Sequence, residues 1–156
     1  MPPTVAIEPP RVFIDSSGFI AVHVPTDAHH EAALLCRDQS LRFSRLYTSS
    51  AVIGETVAHI QRDNLLDQHN LQDLIDDFLA PGKWGASLLP VDDEVSMKSL
   101  HMVRDRRDRR FSFVDAANIV IMEKHQIDII FSYDGLYDGL PIQRGHNTRF
   151  IQRIGI

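Results

Sequence analysis

The stretch Arg11-Val12-Phe13-Ile14-Asp15-Ser16-Ser17 is the clearest indication of the fold. Its apolar run is short and shows no alternation with polar residues, which is typical of a strand buried on both faces in a parallel sheet. Asp15 closes this run. A carboxylate at the edge of a buried element is unfavourable unless a cation pairs with it, so Asp15 is a candidate for a functional residue.

Similar apolar runs recur along the chain and alternate with helical patterns. Predicted strands are 11–14, 46–48, 86–89, 127–131 and a last one at 148–154. Predicted helices are 16–23, one from 26 or 27 through 35, 50–63, 67–79 (ended by Pro81-Gly82), one from 92 or 93 through 103, and 113–124. Such alternation predicts an α/β fold, a three-layer α/β/α sandwich with a central parallel sheet.

Composition bounds the class of protein. The chain has 156 residues, 44% of them apolar, and no internal repeat or linker, so we expect one domain over residues 11–156 behind a short extended tail, residues 1–10. The net charge of −5 argues against a general nucleic-acid binder. The single cysteine, Cys36, excludes an internal disulfide and fits a reducing cytoplasm. No apolar stretch is long enough to cross a membrane, and the first residues lack the basic region of a secretion signal.

Further carboxylates stand beside apolar runs, as Asp15 does. Glu55 interrupts the helix that follows the second strand, and Asp134 follows the fourth strand. Ligands of open parallel sheets bind at the carboxyl ends of the strands. Asp15, Glu55 and Asp134 are therefore predicted to lie on one rim of the sheet.

Asp115 is the only charged residue between Phe113 and Met122, and the sequence leaves two interpretations open. Ser112-Phe113-Val114-Asp115 has the spacing of a capping box, in which the carboxylate accepts a backbone N–H at the start of a helix. The apolar flanks indicate a buried helix, where a merely solvated cap is less expected. That context favours a fourth acid of the same site.

Four carboxylates close together repel one another, and at neutral pH some of them take up protons unless a cation is present. A site with oxygen ligands alone selects Mg²⁺ or Mn²⁺ over zinc, and no cluster of histidine and cysteine competes in this sequence. Such an ion favours phosphate-bearing substrates and activates water against a phosphodiester. The sequence therefore predicts hydrolysis of nucleic acid.

The order and context of these motifs resemble those of the PIN domain family, over roughly Arg11 to Leu140. No single motif is specific, and the ordered set of Asp, Glu, Asp and Asp carries the resemblance. The segments concerned are Val12 to Ser17, Ala28 to Ala33, Thr48-Ser49 leading to Glu55, Phe111 to Ala116, and Phe131 to Tyr137.

The resemblance implies a metal-dependent ribonuclease that hydrolyses RNA phosphodiester bonds. Length and single-domain layout are similar to those of the VapC-type toxins of prokaryotic toxin–antitoxin pairs. The resemblance therefore implies a cytoplasmic endonuclease toxin with Mg²⁺ or Mn²⁺ as cofactor, no membrane partner, a tendency to form homodimers, and a small DNA-binding antitoxin that holds it inactive.

Carried over by position, the resemblance makes Asp15, Glu55, Asp115 and Asp134 the catalytic and metal-binding acids. Asp15 and Asp115 would be the most direct ligands of the ion, and Glu55 and Asp134 would hold its waters or orient the nucleophile. Ser17 matches a position where a small polar residue supports the first aspartate.

Two other regions carry weaker predictions. Ser132 stands where the family usually has threonine, and Asp138 is either a supporting acid or a solvated loop residue, with the second favoured. The segment 104–110 holds five arginines against two aspartates. Arg109 and Arg110 are candidates for contact with RNA phosphates, because arginine forks match phosphate geometry, and the alternative is a solvated helix end.

Other functions stay open at this point. One is a PIN-like scaffold that binds RNA or protein without cleaving, and another is an RNA-processing nuclease outside a toxin–antitoxin pair. A phosphoacceptor receiver domain is also α/β and acidic, but it needs adjacent acids after the first strand and a lysine after the last core strand. Asp15 is followed by Ser16, and Asp134 by Gly135, which speaks against a receiver.

Overall fold

The computed structural model describes Met1, residues 5–79 and residues 84–156. Strands and helices alternate through these residues. The strands are β1 (Arg11–Ile14), β2 (Arg45–Ser49), β3 (Ala86–Leu89), β4 (Ile129–Phe131), β5 (Pro141–Arg144), β6 (Asn147–Phe150) and β7 (Gln152–Ile154). The helices are α1 (Ser16–His23), α2 (His30–Gln39), α3 (Ser50–Arg62), α4 (Gln68–Leu79), α5 (Asp93–Asp105) and α6 (Phe113–Lys124). Single 3₁₀ turns lie at Leu41–Phe43 and Gly135–Tyr137.

The central sheet has the order β3-β2-β1-β4-β7, and every neighbouring pair in it is parallel. Helices flank this sheet, which confirms the predicted three-layer α/β/α sandwich. Since all of these strands run the same way, their carboxyl ends meet at one edge. In the register of β1 and β4, Ile14 pairs with Phe131, so Asp15 lies next to Ser132.

The chain after residue 140 differs from the prediction of one strand over residues 148–154. Two strands occupy this region, and only β7 joins the central sheet, while β6 pairs antiparallel with β5 in a separate hairpin. Gly145 makes the turn of the hairpin with a φ of +64°, a conformation that favours glycine. Between β6 and β7 the side chain of Ile151 is buried, and its N–H donates to the carbonyl of Leu140 at 2.8 Å. Ile151 therefore separates the β5–β6 pairing from the β4–β7 pairing.

Some predictions concern residues at the margins of the described chain. Residues 5–10 are exposed and form neither helix nor strand, in keeping with an extended tail, while residues 2–4 of that tail lie outside the described residues. Pro81 and Gly82, which the sequence pattern places at the end of α4, also lie outside them. No helix built from the described residues has the length and apolar character needed to cross a membrane.

The core joins β1 and β4 to α6. Val12, Phe13 and Ile14 are at most 1% exposed, because β1 is central in the sheet and covered on both faces. A second apolar cluster connects α1, α3 and α4; its buried members are Ile20, Val24, Ile60, Leu71 and Leu74. These contacts hold against each other α1, which begins after Asp15, and α3, which carries Glu55.

Gly18 sets the distance between α1 and β4. A Cβ at this position would lie 2.7 Å from Cδ1 and 2.8 Å from the backbone oxygen of Phe131. We expect Gly18→Ala to lower the free energy of unfolding by about 1–3 kcal/mol, the usual effect of overpacking. Gly54, exposed on α3 with nothing within 4 Å of an added Cβ, is the matched control.

Gly54→Ala should raise stability by roughly 0.5–1 kcal/mol, because alanine favours a helix over the unfolded chain. Urea unfolding followed by circular dichroism measures both variants. Shifts of the same sign in the two midpoints would contradict the packing argument.

Candidate active site

Asp15 is the first residue after β1 and is only 3% exposed. It occupies the N-cap position of α1, yet its side chain makes no capping hydrogen bond. Its Oδ2 accepts hydrogen bonds from Ser132 Oγ at 2.9 Å and Ser17 Oγ at 3.4 Å, and its Oδ1 accepts from Asn118 Nδ2 at 3.0 Å. The carboxylate is therefore fixed in orientation by neutral donors from three elements.

The charge of Asp15 is poorly compensated. Its pKa is raised to about 6, chiefly by burial; the nearby carboxylates of Glu55 and Asp115 also raise it, and the hydrogen bond from Ser132 lowers it. A cation nearby would favour the charged form of this buried carboxylate.

Glu55 reaches the same rim from α3. Ser49 caps this helix through a hydrogen bond from Val52 N to its Oγ at 3.2 Å, which places Glu55 about one turn in. Ser16 Oγ donates to Glu55 Oε2 at 2.7 Å, so the first turn of α1 holds the side chain. Burial raises the pKa of Glu55, as do the charges of Asp115 and Asp134.

Asp115 combines both of the roles that the sequence left open. The capping box is present: Asp115 N donates to Ser112 Oγ at 3.1 Å, and Ser112 N donates to Asp115 Oδ2 at 2.8 Å. The other oxygen, Oδ1, accepts from the hydroxyl of Tyr137 at 3.4 Å. The cap thus fixes one oxygen of the carboxylate and leaves the second facing the acid site.

Asp134 lies in the loop after β4 and is exposed. Its Oδ1 accepts from Leu136 N at 2.9 Å and caps the 3₁₀ turn, and its own N–H donates to Ser132 Oγ at 3.1 Å. Ser132 therefore connects Asp15 and Asp134. The charge of Asp134 raises the pKa of Glu55, and the charges of Glu55 and Asp115 raise that of Asp15, so the structure brings the four predicted acids near one another.

Two residues of this site were missed from the sequence. Asn118 is fully buried on α6 and donates through Nδ2 to Asp15 and, at 3.0 Å, to the hydroxyl of Tyr137. Tyr137 is also fully buried and continues the chain of hydrogen bonds to Asp115. Burial, with the charges of Asp15 and Asp115, raises the pKa of Tyr137 well above its ordinary value, so its hydroxyl stays a donor.

A signal for Asn118 was present in the sequence. It lies three residues after Asp115 on the same helix, hence on the same face, and it is the one uncharged polar residue from Phe113 to Met122. Tyr137 had no comparable signal, because its contact with α6 depends on the path of a loop.

The donor set fits a hydrated hard cation. Within residues 5–79 and 84–156, none of the four acids forms an ion pair with lysine or arginine, and no three acidic, histidine or cysteine side chains are grouped tightly enough to hold an ion by themselves. Mg²⁺ keeps several waters and is bound through one or two carboxylates. The buried Oδ1 of Asn118, which has no hydrogen-bond partner, is a further oxygen available to such a shell.

The supporting residues have mixed positions. Ser17 Oγ makes a long hydrogen bond of 3.4 Å to Asp15 Oδ2. It makes shorter ones with Ser132 Oγ, at 3.1 Å, and with Tyr133 N, which donates to it at 2.9 Å. Asp138 is exposed, as expected of a loop residue, and pairs with Arg153 through two contacts of 2.8 and 2.9 Å. That pairing neutralises its carboxylate, so it does not add to the unpaired charge of the site.

Arg109 and Arg110, the predicted phosphate contacts, differ from each other. Arg109 donates through Nη1 to the backbone carbonyls of Leu136 and Asp138, which anchors the turn that follows Asp134. Arg110 is exposed. The structure thus gives Arg109 a positioning contact that the sequence did not predict.

An open cleft of about 370 Å³ reaches the site between α1 and α3. Its lining comprises Ser16, Ser17, Ile20, Glu55, Ala58, His59 and Arg62. Asp63 contacts both His59 and Arg62, at 3.2 and 3.0 Å. Glu55 is therefore accessible from solvent on this side, while Asp15 is covered.

Comparison with known proteins gives a consistent result. The PIN domain family model matches residues 12–139. No curated protein matches the chain significantly. Among solved structures, the chain is similar to VapC20 of Mycobacterium tuberculosis, described as a sarcin-ricin loop cleaving toxin, with a TM-score of 0.70 and 22% identity over 80% of this chain and 90% of that one.

Two other solved structures share the fold. FitAcB from Neisseria gonorrhoeae has a TM-score of 0.57 at 15% identity, covering 80% of this chain and 88% of its own. FitAB bound to an IR36 DNA fragment has a TM-score of 0.54 at 15% identity, covering 79% and 85%. At these identities the likeness concerns the fold.

Proposed function

The chain belongs to the PIN domain family, and we propose that it is a Mg²⁺- or Mn²⁺-dependent endoribonuclease that acts as the toxin of a toxin–antitoxin pair. The observation that supports this most is geometric: the four acids lie at one rim of the sheet, Asp15 is buried, and none of the four forms an ion pair with lysine or arginine among the described residues. Burial and the neighbouring charges raise the pKa of Asp15 to about 6, an unfavourable state that a divalent cation would relieve.

In this proposal Asp15 and Asp115 hold the ion, and each is oriented before the ion arrives. Ser132 and Asn118 fix Asp15, and the capping box fixes Asp115. A bound Mg²⁺ or Mn²⁺ supplies positive charge that screens the phosphodiester and makes water a better nucleophile. The contribution of the protein is the fixed geometry of the carboxylates, which avoids reorganisation during the reaction.

Glu55 and Asp134 orient the attacking water in the same proposal. Glu55 is half-buried and held by Ser16 at 2.7 Å, and its raised pKa brings its proton affinity closer to neutral pH, as suits a general base. Asp134 is held by Leu136 N and stays exposed on the solvent side of the site. The two acids thus approach from opposite sides of β1.

The toxin assignment draws on the solved relatives. VapC20 is described as a toxin that cleaves the sarcin-ricin loop, and FitAB is seen bound to DNA. We therefore propose a small DNA-binding antitoxin as partner, a homodimer as the assembly and the cytoplasm as the location. A neighbouring reading frame for a small DNA-binding protein supports this assignment, and its absence favours an RNA-processing nuclease instead.

The nuclease proposal predicts metal-dependent cleavage of RNA. Purified protein is incubated with a panel of structured RNAs, including a sarcin-ricin hairpin, with Mn²⁺ or with a chelator. We expect cleavage only with the metal, and a loss of on the order of 10²-fold in Glu55→Gln. Removal of a group that supports a metal site typically reduces activity by about 10- to 100-fold, and in this proposal Glu55 also orients the attacking water.

Glu31→Gln is the matched control, because Glu31 is an exposed acid on α2. This variant should cleave RNA at the wild-type rate. Equal activity of the wild type and Glu55→Gln contradicts the proposed site. Calorimetric titration with Mn²⁺ separates the remaining alternative: loss of metal binding, together with no cleavage of any RNA, indicates a scaffold that only binds.

A further inference from the structure

An arginine-lined cleft of about 600 Å³ lies where α5 ends and the chain leads into α6. We call it the arginine cleft; its lining is Val103, Arg106, Arg107, Arg109, Arg110 and Phe111. Two features connect the cleft with the elements that carry the acids. Its chain continues directly into the helix that carries Asp115, and Arg109 holds the turn that follows Asp134 through two backbone carbonyls.

Some of the arginines in this region are already paired. Arg106 bonds to Asp108 through two contacts of 2.9 and 2.8 Å and lies over the ring of Phe111 at 5.5 Å from its centroid. Arg104 pairs with Asp105 at 2.6 Å. These contacts, with those of Arg109, fix the shape of the loop and use up the two aspartates of the segment.

Arg107 and Arg110 are the exception. Both are exposed, and neither makes a hydrogen bond, ion pair or ring contact with any residue in the part of the chain that the structure describes. The result is two unpaired guanidinium groups on the loop that leads into α6, the helix that carries Asp115. The overall net charge is −5, so this local positive charge is not a consequence of composition.

We propose that the arginine cleft binds backbone phosphates of the RNA strand next to the scissile phosphate, through Arg107 and Arg110. This inference rests on the proposed nuclease function and adds the route of the substrate. An acidic site repels a polyanion, and arginine forks pair with phosphate oxygens in two-point contacts. Arg109 is not one of the contacts, because its guanidinium is used by the carbonyls of Leu136 and Asp138.

RNA is favoured over a protein as the occupant of this cleft because of charge and position. An RNA strand continues on either side of the bond that is cleaved. Two unpaired arginines on the loop before α6 can therefore pair with the phosphates that flank that bond. A protein would also need apolar surface, whereas four of the six residues that line the cleft are arginines, and the exposed Met97 and Leu100 of α5 do not line it.

The test measures binding of a labelled single-stranded RNA oligonucleotide by fluorescence anisotropy in EDTA, over a range of salt concentrations. Each phosphate contact contributes about 0.7 to the slope of log affinity against log salt for single strands. We expect Arg107→Ala/Arg110→Ala to weaken binding roughly tenfold at low salt and to reduce the slope by about 1.4. A DNA oligonucleotide of the same sequence should show the same change, because only the backbone is read.

Two variants control for other causes. Arg37→Ala/Arg42→Ala removes two exposed cations that line a different cleft and should leave the slope at the wild-type value. Arg107→Lys/Arg110→Lys keeps both charges and should keep the slope. Thermal unfolding by circular dichroism should be unchanged, since the side chains of Arg107 and Arg110 have no folded-state partner among the described residues.

Several results overturn the inference. They are an unchanged slope in Arg107→Ala/Arg110→Ala, an equal change in Arg37→Ala/Arg42→Ala, or an alanine double variant that binds RNA normally but loses self-association measured by sedimentation. Cleavage is measured separately with Mn²⁺. A protein that binds through the cleft but cleaves nothing contradicts the nuclease proposal alone, whereas one that cleaves with unchanged KM after removal of both arginines contradicts the cleft alone.

Discussion

Asp115→Asn is expected to lose at least about a hundredfold in RNA cleavage while its stability stays within roughly 0.5 kcal/mol of the wild type. The asparagine Oδ1 can still accept the N–H of Ser112, so the capping box survives. What is lost is the negative charge and the oxygen that faces Tyr137. Cleavage rates with Mn²⁺ and urea unfolding, measured on the same preparation, give the two readouts.

Ser112→Ala provides the opposite control for Asp115. It removes the hydroxyl that accepts from Asp115 N at 3.1 Å and should lower stability by about 1 kcal/mol, the usual effect of losing an N-cap. Its cleavage rate at a temperature well below unfolding should equal that of the wild type. If instead both variants lose stability and neither loses activity, Asp115 is a helix cap and nothing more.

Asp15→Asn is expected to raise the stability of the metal-free protein while it abolishes cleavage. Burial raises the pKa of Asp15 to about 6 from a model-peptide value of 3.8. The folded state therefore binds the proton more tightly than the unfolded state, and its stability falls as the pH rises from about 4 through 6. One pKa unit corresponds to about 1.4 kcal/mol, so the wild type has lost about 3 kcal/mol at pH 7, which the neutral amide does not lose.

Urea unfolding in EDTA from pH 4 to pH 8 measures this effect. The difference between Asp15→Asn and the wild type should be near zero at pH 4 and about 3 kcal/mol at pH 7. Asp93→Asn, at an exposed position on α5, is the control and should show little difference at any pH. A difference for Asp15 that does not shrink as the pH falls contradicts the electrostatic explanation.

Addition of Mn²⁺ should then make the wild type more stable than Asp15→Asn. A ligand present at 1,000 times its dissociation constant stabilises the folded state by about 4.1 kcal/mol, which exceeds the difference of about 3 kcal/mol between the two metal-free proteins. The wild type should gain this stabilisation, and Asp15→Asn should gain much less. Such an exchange of stability for function is common where an active site keeps an unfavourable charge.

Much of the fold could be predicted because the relevant signals are local. The apolar run of β1, the cap at Ser49 and the capping box at Ser112 fix the starts of elements within a few residues, and the structure has strands or helices at these places. The last region could not be predicted in this way. Whether residues 147–154 form one strand or two depends on which strands they pair with. β6 pairs with β5, whereas β7 pairs with β4.

The arginines show the same limit on a smaller scale. The sequence indicates a basic segment near Asp115 but not which of its members are free to bind. Arg109 contacts two carbonyls that lie 27 and 29 residues away in the sequence, and Arg106 pairs with Asp108. Only the path of the loop decides that Arg107 and Arg110 are the ones left exposed.

By itself, the sequence determined the order of elements as far as β4, and with the rule that parallel strands end at one edge it predicted that Asp15, Glu55 and Asp134 share a rim. Tertiary structure alone decided how these acids are held. Asn118 and Tyr137 join Asp15 to Asp115 through contacts 19 to 103 residues apart, and Ser132 reaches Asp15 across neighbouring strands. Periodicity reports which face of an element is buried, whereas hydrogen-bond partners across elements are set by packing, which no local pattern contains.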